Sequence, residues 1–409
     1  MKEAYNVNAI NAAIPAGWAF RKGIEISEKI TKGASPKWQG FEYQNEGVLF
    51  VTSENVRDGE LDISQPKYLP LSFNNKMKNS ILQQGDILIN IVGASIGRSC
   101  IYDRIISANI NQAVCLVRTH ENISKEYISF YLQHPLTIQK LFDTQSDSAR
   151  PNLTLEDIRD FKFLIPPLPE QKAIAAVLSL MDSAIQKTNQ LIAQKELRKK
   201  ALMQQLLTGK KRLKGFGGEW ESKKLGFFFT ERCETGFFDL PLLSIGATGI
   251  YPQTDSIKKD SSNEDKSKYR RICKGDIGYN TMRMWQGRSA LSNFEGIISP
   301  AYTVVTVKDG ASAKFFSYLF KFPSLINAFY RNSQGLVDDT LNCKFKDFEI
   351  VTVYVPLNRK EQDSIAKVLE IAEYEIQLLK AKSAKLKEQK KGMMQVLLTA
   401  KKRLKGFKP

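Results

Sequence analysis

The segment nearest to a phosphate cradle is Gly93-Ala-Ser-Ile-Gly-Arg-Ser99. A nucleotide phosphate loop needs four residues between its glycines and a lysine after the second. Here three residues separate the glycines, and Arg98 stands where the lysine belongs. The same turn recurs as Gly287-Arg288-Ser289. That recurrence favours a turn presenting an arginine to an anion, or a purely structural turn, over nucleotide binding. Other chemistry is scarce. His120 and His134 are the only histidines, which leaves few general bases, and His134 before Pro135 suits a helix cap better than catalysis. No Gly-x-Ser-x-Gly elbow and no His-Glu-x-x-His pair is present. Asp255, Glu264 and Lys266 lie in a polar Ser/Asp/Lys loop and read as a solvated loop rather than a nuclease centre. The Asn/Asp-Pro-Pro-aromatic tetrapeptide of amino-methyltransferases is missing. Cys100, Cys115, Cys233, Cys273 and Cys343 form no Cys-x-x-Cys pair and read as small hydrophobes in a reducing compartment. The residue types therefore describe a binder rather than a catalyst.

What it binds is suggested by charge. Lys and Arg outnumber Asp and Glu by 60 to 43, a formal net charge of +17. Such an excess favours a polyanion, nucleic acid first and an anionic membrane surface second. No run approaches the roughly 20 apolar residues of a membrane span, and Met1–Ala16 lacks the pattern of a signal peptide. These readings point to a cytoplasmic protein that binds nucleic acid.

The elements that must position such residues are duplicated. Glu361–Phe407 repeats Glu170–Phe216 without a gap, about half the paired positions are identical, and both copies end in Lys-Lys-Arg-Leu-Lys-Gly-Phe. Pro166-Pro-Leu-Pro169 stops one element and starts the next. From Glu170 to Thr208 there is neither proline nor glycine. Apolar residues recur at steps of four and three through Ile174, Leu178, Met181, Ile185, Leu202 and Leu206. In the second copy they recur through Ile365, Leu369, Ile376, Leu379, Leu386, Met393 and Leu397. This is a heptad seam, weakened at Thr188, Lys195 and Lys199 in one copy and at Ser383 and Lys390 in the other. A long helix with one apolar seam is not stable alone, so the two seams are expected to pair with each other. The antiparallel arrangement is preferred: its two-fold axis, perpendicular to the helices, matches the local symmetry of a duplex and places the globular units at opposite ends. The basic endings Lys210–Lys214 and Lys401–Lys405 suit either phosphate contact or a favourable cation at a helix C-terminus.

Ahead of each helix lies a segment with a β-rich pattern. Gly47–Thr52, Asp86–Val92, Ala113–Arg118 and Pro300–Val307 read as strands, and Tyr127–Gln133 and Ala313–Phe320 as short helices. Gly85-Asp-Ile87 answers Gly275-Asp-Ile277, and Gly97-Arg-Ser99 answers Gly287-Arg-Ser289. The loops have diverged, so one scaffold carries two different readers. The expected fold is α+β, an internal duplication with pseudo-two-fold symmetry. Its expected parts are residues 1–165, a helical spacer 166–216, residues 217–354 and a C-terminal helical spacer 355–409.

The chain resembles the specificity subunits of type I restriction-modification systems. The likeness is carried by Ile14-Pro-Ala-Gly-Trp18, Thr31-Lys-Gly-Ala-Ser-Pro36, Phe50-Val-Thr-Ser-Glu-Asn-Val56, Leu240-Pro-Leu-Leu-Ser-Ile245 and the Gly-Asp-Ile pair. Above all it is carried by Pro166-Pro-Leu-Pro-Glu-Gln171 and its helix to Leu206-Leu-Thr-Gly209. The second copy departs from the pattern with Pro356-Leu-Asn-Arg-Lys-Glu-Gln362 and Leu-Leu-Thr-Ala400. The resemblance implies that 1–165 and 217–354 are target recognition domains, each reading half of a bipartite, asymmetric sequence in double-stranded DNA. It implies that the helices fix the spacer and that the chain itself is not an enzyme. Its expected partners are two modification subunits carrying S-adenosylmethionine, and restriction subunits using ATP and Mg. None of these cofactors is expected on this chain.

Polar loop residues are the candidate readers, because cations hold phosphates while amides, hydroxyls and guanidinium forks read base edges. They are Lys32, Ser53, Asn55, Arg98, Asn111, Gln112, Arg150 and Asn152 in the first domain, with Arg150-Pro-Asn152 foremost. In the second they are Ser244, Arg270, Arg271, Arg283, Gln286 and Arg288. Each competes with an ordinary surface or turn-stabilising role. The rival functions are an architectural DNA-binding protein without methyltransferase partners, and a stand-alone nuclease or methyltransferase.

Overall fold

Two helices of 39 residues each, Leu168–Leu206 and Arg359–Leu397, form at the repeated segments. Pro169 sits in the first turn of the first helix, where a missing N–H costs nothing. The structure, a computed structural model, describes residues 14–143, 152–246, 249–255, 264–337 and 340–407. The chain divides into two compact units, Met1–Thr188 with Lys382–Pro409, and Asn189–Ala381. Each unit therefore holds one globular domain and a stretch of both helices.

In the first unit a four-stranded antiparallel sheet has the order Ser27–Lys32, Val114–Thr119, Ile87–Asn90, Ser99–Ile101. Beside it lies a three-stranded sheet in which Val48–Val51 pairs antiparallel with Tyr68–Leu69 and parallel with Ala108–Ile110. Ala19–Lys22 pairs with Lys162–Ile165, which joins the start of the domain to its end. The β-branched and aliphatic runs that read as strands form them, because a strand buried on both faces takes a continuous apolar run. Val48–Val51 and Ile87–Asn90 are buried at every position.

The second unit repeats this plan. Its four-stranded sheet runs Phe229–Glu231, Tyr302–Val307, Ile277–Asn280, Ser289–Leu291, and Glu221–Lys224 pairs with Thr352–Val355 to close the domain. The helix Lys125–Gln133 of the first unit has its counterpart in Ala313–Leu319. Here the core is aromatic: Phe229, Phe316, Phe320, Phe329 and Phe348 stack edge-on or face-on with centroids 5.0–5.8 Å apart.

The helices pair antiparallel within each unit. In the first, Ile174, Ala175 and Leu178 share a core with Met394, Leu397 and Leu398. In the second, Leu206 and Leu207 share one with Ile365, Ala366 and Leu369. Met181, Ile185, Leu202, Leu379, Leu386 and Met393 are half-buried along the same line, and Ile376 is buried. Where the seam turns polar, ion pairs replace apolar contact. Lys390 Nζ bonds Asp182 at 2.6 and 2.7 Å and lies 5.1 Å from the Phe130 ring centroid. Its counterpart Lys199 lies 3.2 Å from Glu373 and 5.8 Å from the Tyr318 ring. Lys195 meets Glu375 at 2.5 Å. Thr188 turns its hydroxyl onto its own helix, donating to the Ala184 carbonyl at 2.7 Å.

Candidate nucleic-acid interface

Strand register gathers the first domain's candidates. Lys32 lies opposite Cys115, Asn90 opposite Val114, and Val51 opposite Ile110. The loops that leave these strand ends therefore share one edge of the domain: Thr52–Asn55, Ile91–Arg98 and Asn111–Ala113. Asn152 joins them through a bridge to Val92. Lys32, Ser53, Asn55, Arg98, Asn111, Gln112 and Asn152 are thus brought together although they are scattered along the chain. Arg150 lies outside the described residues.

The side chains within this group do different work. Asn55 is turned inward: its Oδ1 accepts from Thr52 N and Oγ1 at 2.8 and 3.0 Å, and its Nδ2 donates to the Asp62 carbonyl at 2.9 Å. Asn111 Oδ1 accepts from Ala113 N at 3.1 Å, which shapes the turn that projects Gln112. Lys32, Gln112 and Asn152 are exposed, while Ser53 and Arg98 are half-buried. Asn90, not among the candidates, is fully buried and donates Nδ2 to the Ser53 carbonyl at 2.9 Å, tying two loops together. Gly33 is required here, since a Cβ would stand 1.7 Å from the Ile110 carbonyl oxygen.

In the second domain the hairpin loop Thr281–Arg288 exposes Arg283, Gln286 and Arg288, which have no side-chain partner among the described residues. The loop is held from beneath: Trp285 donates Nε1–H to the Met282 carbonyl at 3.0 Å, and its ring meets Tyr330 at 5.8 Å. Arg270 and Arg271 differ. Arg270 pairs with Glu231 at 2.5 Å, and Arg271 with Glu234 at 2.8 Å and Glu295 at 2.5 Å. Ser244 donates to Gln253 Oε1. The recurring Gly-Arg-Ser turn has a structural cause. Gly97 and Gly287 both adopt positive φ, at 82° and 73°, and pack against Ile138 and Ile326 of the following helices.

The repeated motifs on the helices build one clasp twice. Trp18 donates Nε1–H to Glu170 at 3.0 Å, and Arg403 bonds the same carboxylate at 3.0 and 2.7 Å. In the second unit Trp220 and Arg212 hold Glu361, at 3.4 Å and at 2.6 and 2.7 Å. Gln171 accepts from Ser124 N at 2.8 Å and donates to the Pro166 carbonyl at 2.8 Å. Gln362 does the same with Ser312 N and Pro356, at 2.8 and 2.7 Å. Both Glu-Gln pairs are buried. The arginine of each basic ending is thereby a structural cation, and the exposed lysines 210, 211, 214, 401, 402 and 405 carry the free charge. A signal for this clasp was present in the sequence: a tryptophan precedes each domain, as Trp18 and Trp220, and each ending repeats its arginine.

Buried Asp86 and Asp276 make a second duplicated anchor. Arg118 binds Asp86 through two bonds of 2.8 Å, whereas Asp276 takes Arg232, just past the strand Phe229–Glu231, at 2.8 Å and the Thr306 hydroxyl at 2.9 Å. Burial pushes the thiols of Cys100, Cys115 and Cys343 up to about 12, so they are inert hydrophobes at neutral pH. Among the described residues no group of three or more His, Cys, Asp or Glu could hold a metal ion, and no helix is long and apolar enough to cross a membrane.

Two β-rich domains built on the same four-stranded plan thus stand on paired helices, each with polar loops at a strand edge. Residues 15–197 match the family of the type I restriction modification DNA specificity domain. The chain is 28% identical over 206 residues to the type I restriction enzyme MjaVIII specificity subunit of Methanocaldococcus jannaschii, covering 49% of this chain and 48% of the relative. It is 26% identical over 153 residues to the EcoBI specificity subunit of Escherichia coli, covering 36% and 32%. The chain spans about half the length of the first curated relatives it matches. Among solved structures, a chain from work on complex assembly and conformational transition of the type I R-M system has a TM-score of 0.58 at 16% identity, covering 94% of this chain and 98% of that one. The HsdS subunit of Thermoanaerobacter tengcongensis has a TM-score of 0.52 at 16% identity, covering 94% and 97%. At these identities the structures speak to fold, and the fold is shared. The first half of the chain thus matches the type I specificity-domain family, and nearly the whole chain shares the fold of the solved specificity subunits.

Proposed function

We propose that this chain is the DNA-recognition subunit of a type I restriction-modification complex, itself without catalytic activity and working in the cytoplasm. Its two domains read the two halves of a bipartite, asymmetric duplex sequence. Two modification subunits carrying S-adenosylmethionine dock on the helical parts, and restriction subunits using ATP and Mg complete the assembly. The observation that carries this reading is the contrast between scaffold and loops. The Trp–Glu–Arg clasp and the Glu-Gln contacts are kept in both units, while the polar groups at the strand edges differ. One frame with two unlike edges is what a reader of two unlike half-sites requires.

Energetics support the division. Joining two modest binders multiplies their discrimination through effective concentration, and each good bidentate base contact adds about 1–3 kcal/mol. A docking role for the helices is supported by apolar side chains left outside the seam: Leu180 at 71% exposure, Leu197 at 69%, Ile371 at 59% and Tyr374 at 60%. Co-purification with a type I modification subunit tests the assembly. Two modification subunits per chain are expected, whereas a chain that stays alone favours the architectural DNA-binding alternative. S-adenosylmethionine- or Mg-dependent activity of the isolated chain would favour an enzyme instead.

A further inference from the structure

Among the described residues, the most exposed aromatic ring of each domain lies in the same connection. That connection leaves the first strand of the four-stranded sheet and ends at the backbone that runs parallel to the strand Ala108–Ile110 or Gly296–Ile298. In the first domain the ring is Trp38, 85% exposed, in a single turn Lys37–Gln39. In the second it is Phe238, 65% exposed.

Neither ring sits on a slack loop. The Trp38 turn is closed by Gln39 N and Phe41 N, which donate to the Pro36 carbonyl at 2.9 and 3.0 Å. Lys76 Nζ donates to the Gln39 carbonyl at 3.0 Å, and Phe41 packs edge-on to Phe73 at 5.3 Å. Around Phe238, Arg271 lies 4.8 Å from the Phe237 ring, and Ile297 N donates to the Pro241 carbonyl at 2.9 Å. An anchored loop that keeps a ring in solvent leaves about 1.5–3 kcal/mol of burial for a partner to supply. The connection also starts at the candidate reading edge: Gly33 lies on Ile110 and Asn111, and Thr235 bridges Arg270. Lys37, exposed beside Trp38, supplies a cation for a phosphate.

We infer that Trp38 and Phe238 are DNA-contacting, specificity-determining residues, each laying its ring against the bases of its own half-site, on a thymine methyl or as a wedge at a base step. Apolar wedges of this kind read sequence through the ease of unstacking. The inference rests on the DNA-recognition reading above, and the experiment separates the two. The full chain with its modification subunit is used to select from a pool of duplexes with a fully randomised core. The selection is repeated with W38A, W38F and F238A. W38A should bind the wild-type motif about 10-fold more weakly, as loss of one stacking contact does, and relax one half-site only. F238A should relax the other, and W38F should keep most of the wild-type behaviour. In the wild-type complex the selected duplex should also shield indole fluorescence from acrylamide quenching, and this shielding should fall in W38F, where Trp285 of the second domain's loop remains. A W38A complex that selects the same motif with the same affinity overturns the inference and leaves the DNA-recognition reading standing. So does a W38A chain that fails to capture the modification subunit while the assembled fraction keeps its motif, which makes Trp38 a protein contact. A wild-type complex that enriches no motif overturns the reading itself and the inference with it.

Discussion

Arg403 shows how far a residue's role depends on its partner. It sits in a run of cations that reads as a phosphate clamp, yet its guanidinium is bonded twice to buried Glu170. Removing one member of such a pair strands the other charge, here the buried Glu170 carboxylate. R403A should therefore lower the denaturation midpoint strongly, while K405A, at an exposed lysine, should stay within about 0.5 kcal/mol of the parent. Equal effects in chemical denaturation would refute the clasp. His134 offers a pH test. Burial lowers its basicity below the ordinary 6.5, with a hydrogen bond to Gln395 opposing and Lys140 assisting. The native state therefore refuses a proton that the unfolded chain accepts. Stability should be unaffected above the unfolded value and fall as pH drops through about 6.5. H134Q should flatten that part of the profile. The capping role expected of this residue is visible in Leu136 N, which donates to its Nδ1 at 3.3 Å. Asn55 and Asn90 mark the limit of residue-level reading. Asn55 stands in a polar run and Asn90 in an apolar one, and only the fold reveals that one closes a turn and the other ties two loops together.

At the scale of elements the sequence was most informative where a period repeats. The heptad spacing located both long helices and the face they bury, and the continuous apolar runs located the central strands. Polar breaks in the seam were legible as breaks but not as contacts, because the acids that meet Lys199 and Lys390 lie on the other helix, far away in sequence. A reversed charge should expose this. K390E is expected to lower thermal stability by opposing Asp182, and adding D182K should recover most of the loss; a double variant no better than the single one would argue against the pairing. Apolar positions should divide by face. L178A, at a fully buried site, should cost about 2–5 kcal/mol. L180A, 71% exposed, should leave stability unchanged and weaken capture of the modification subunit.

For the molecule as a whole, duplication was the decisive signal. Helices kept alike and domains allowed to differ led to a fold that the structure bears out, in which each domain closes on the helices through the same three side chains. The bases recognised could not be read, because they depend on loop geometry and on the deformability of the duplex. If the proposed function holds, exchanging Gly217–Tyr354 for the corresponding domain of a similar specificity subunit should change one half-site and leave the other intact. The most direct measurement is the methylome of a host that supplies the modification subunit, with and without this chain. A new motif in two parts separated by a fixed gap, methylated only when the chain is present, is the predicted result. A contiguous motif, or no new methylation, would contradict the account.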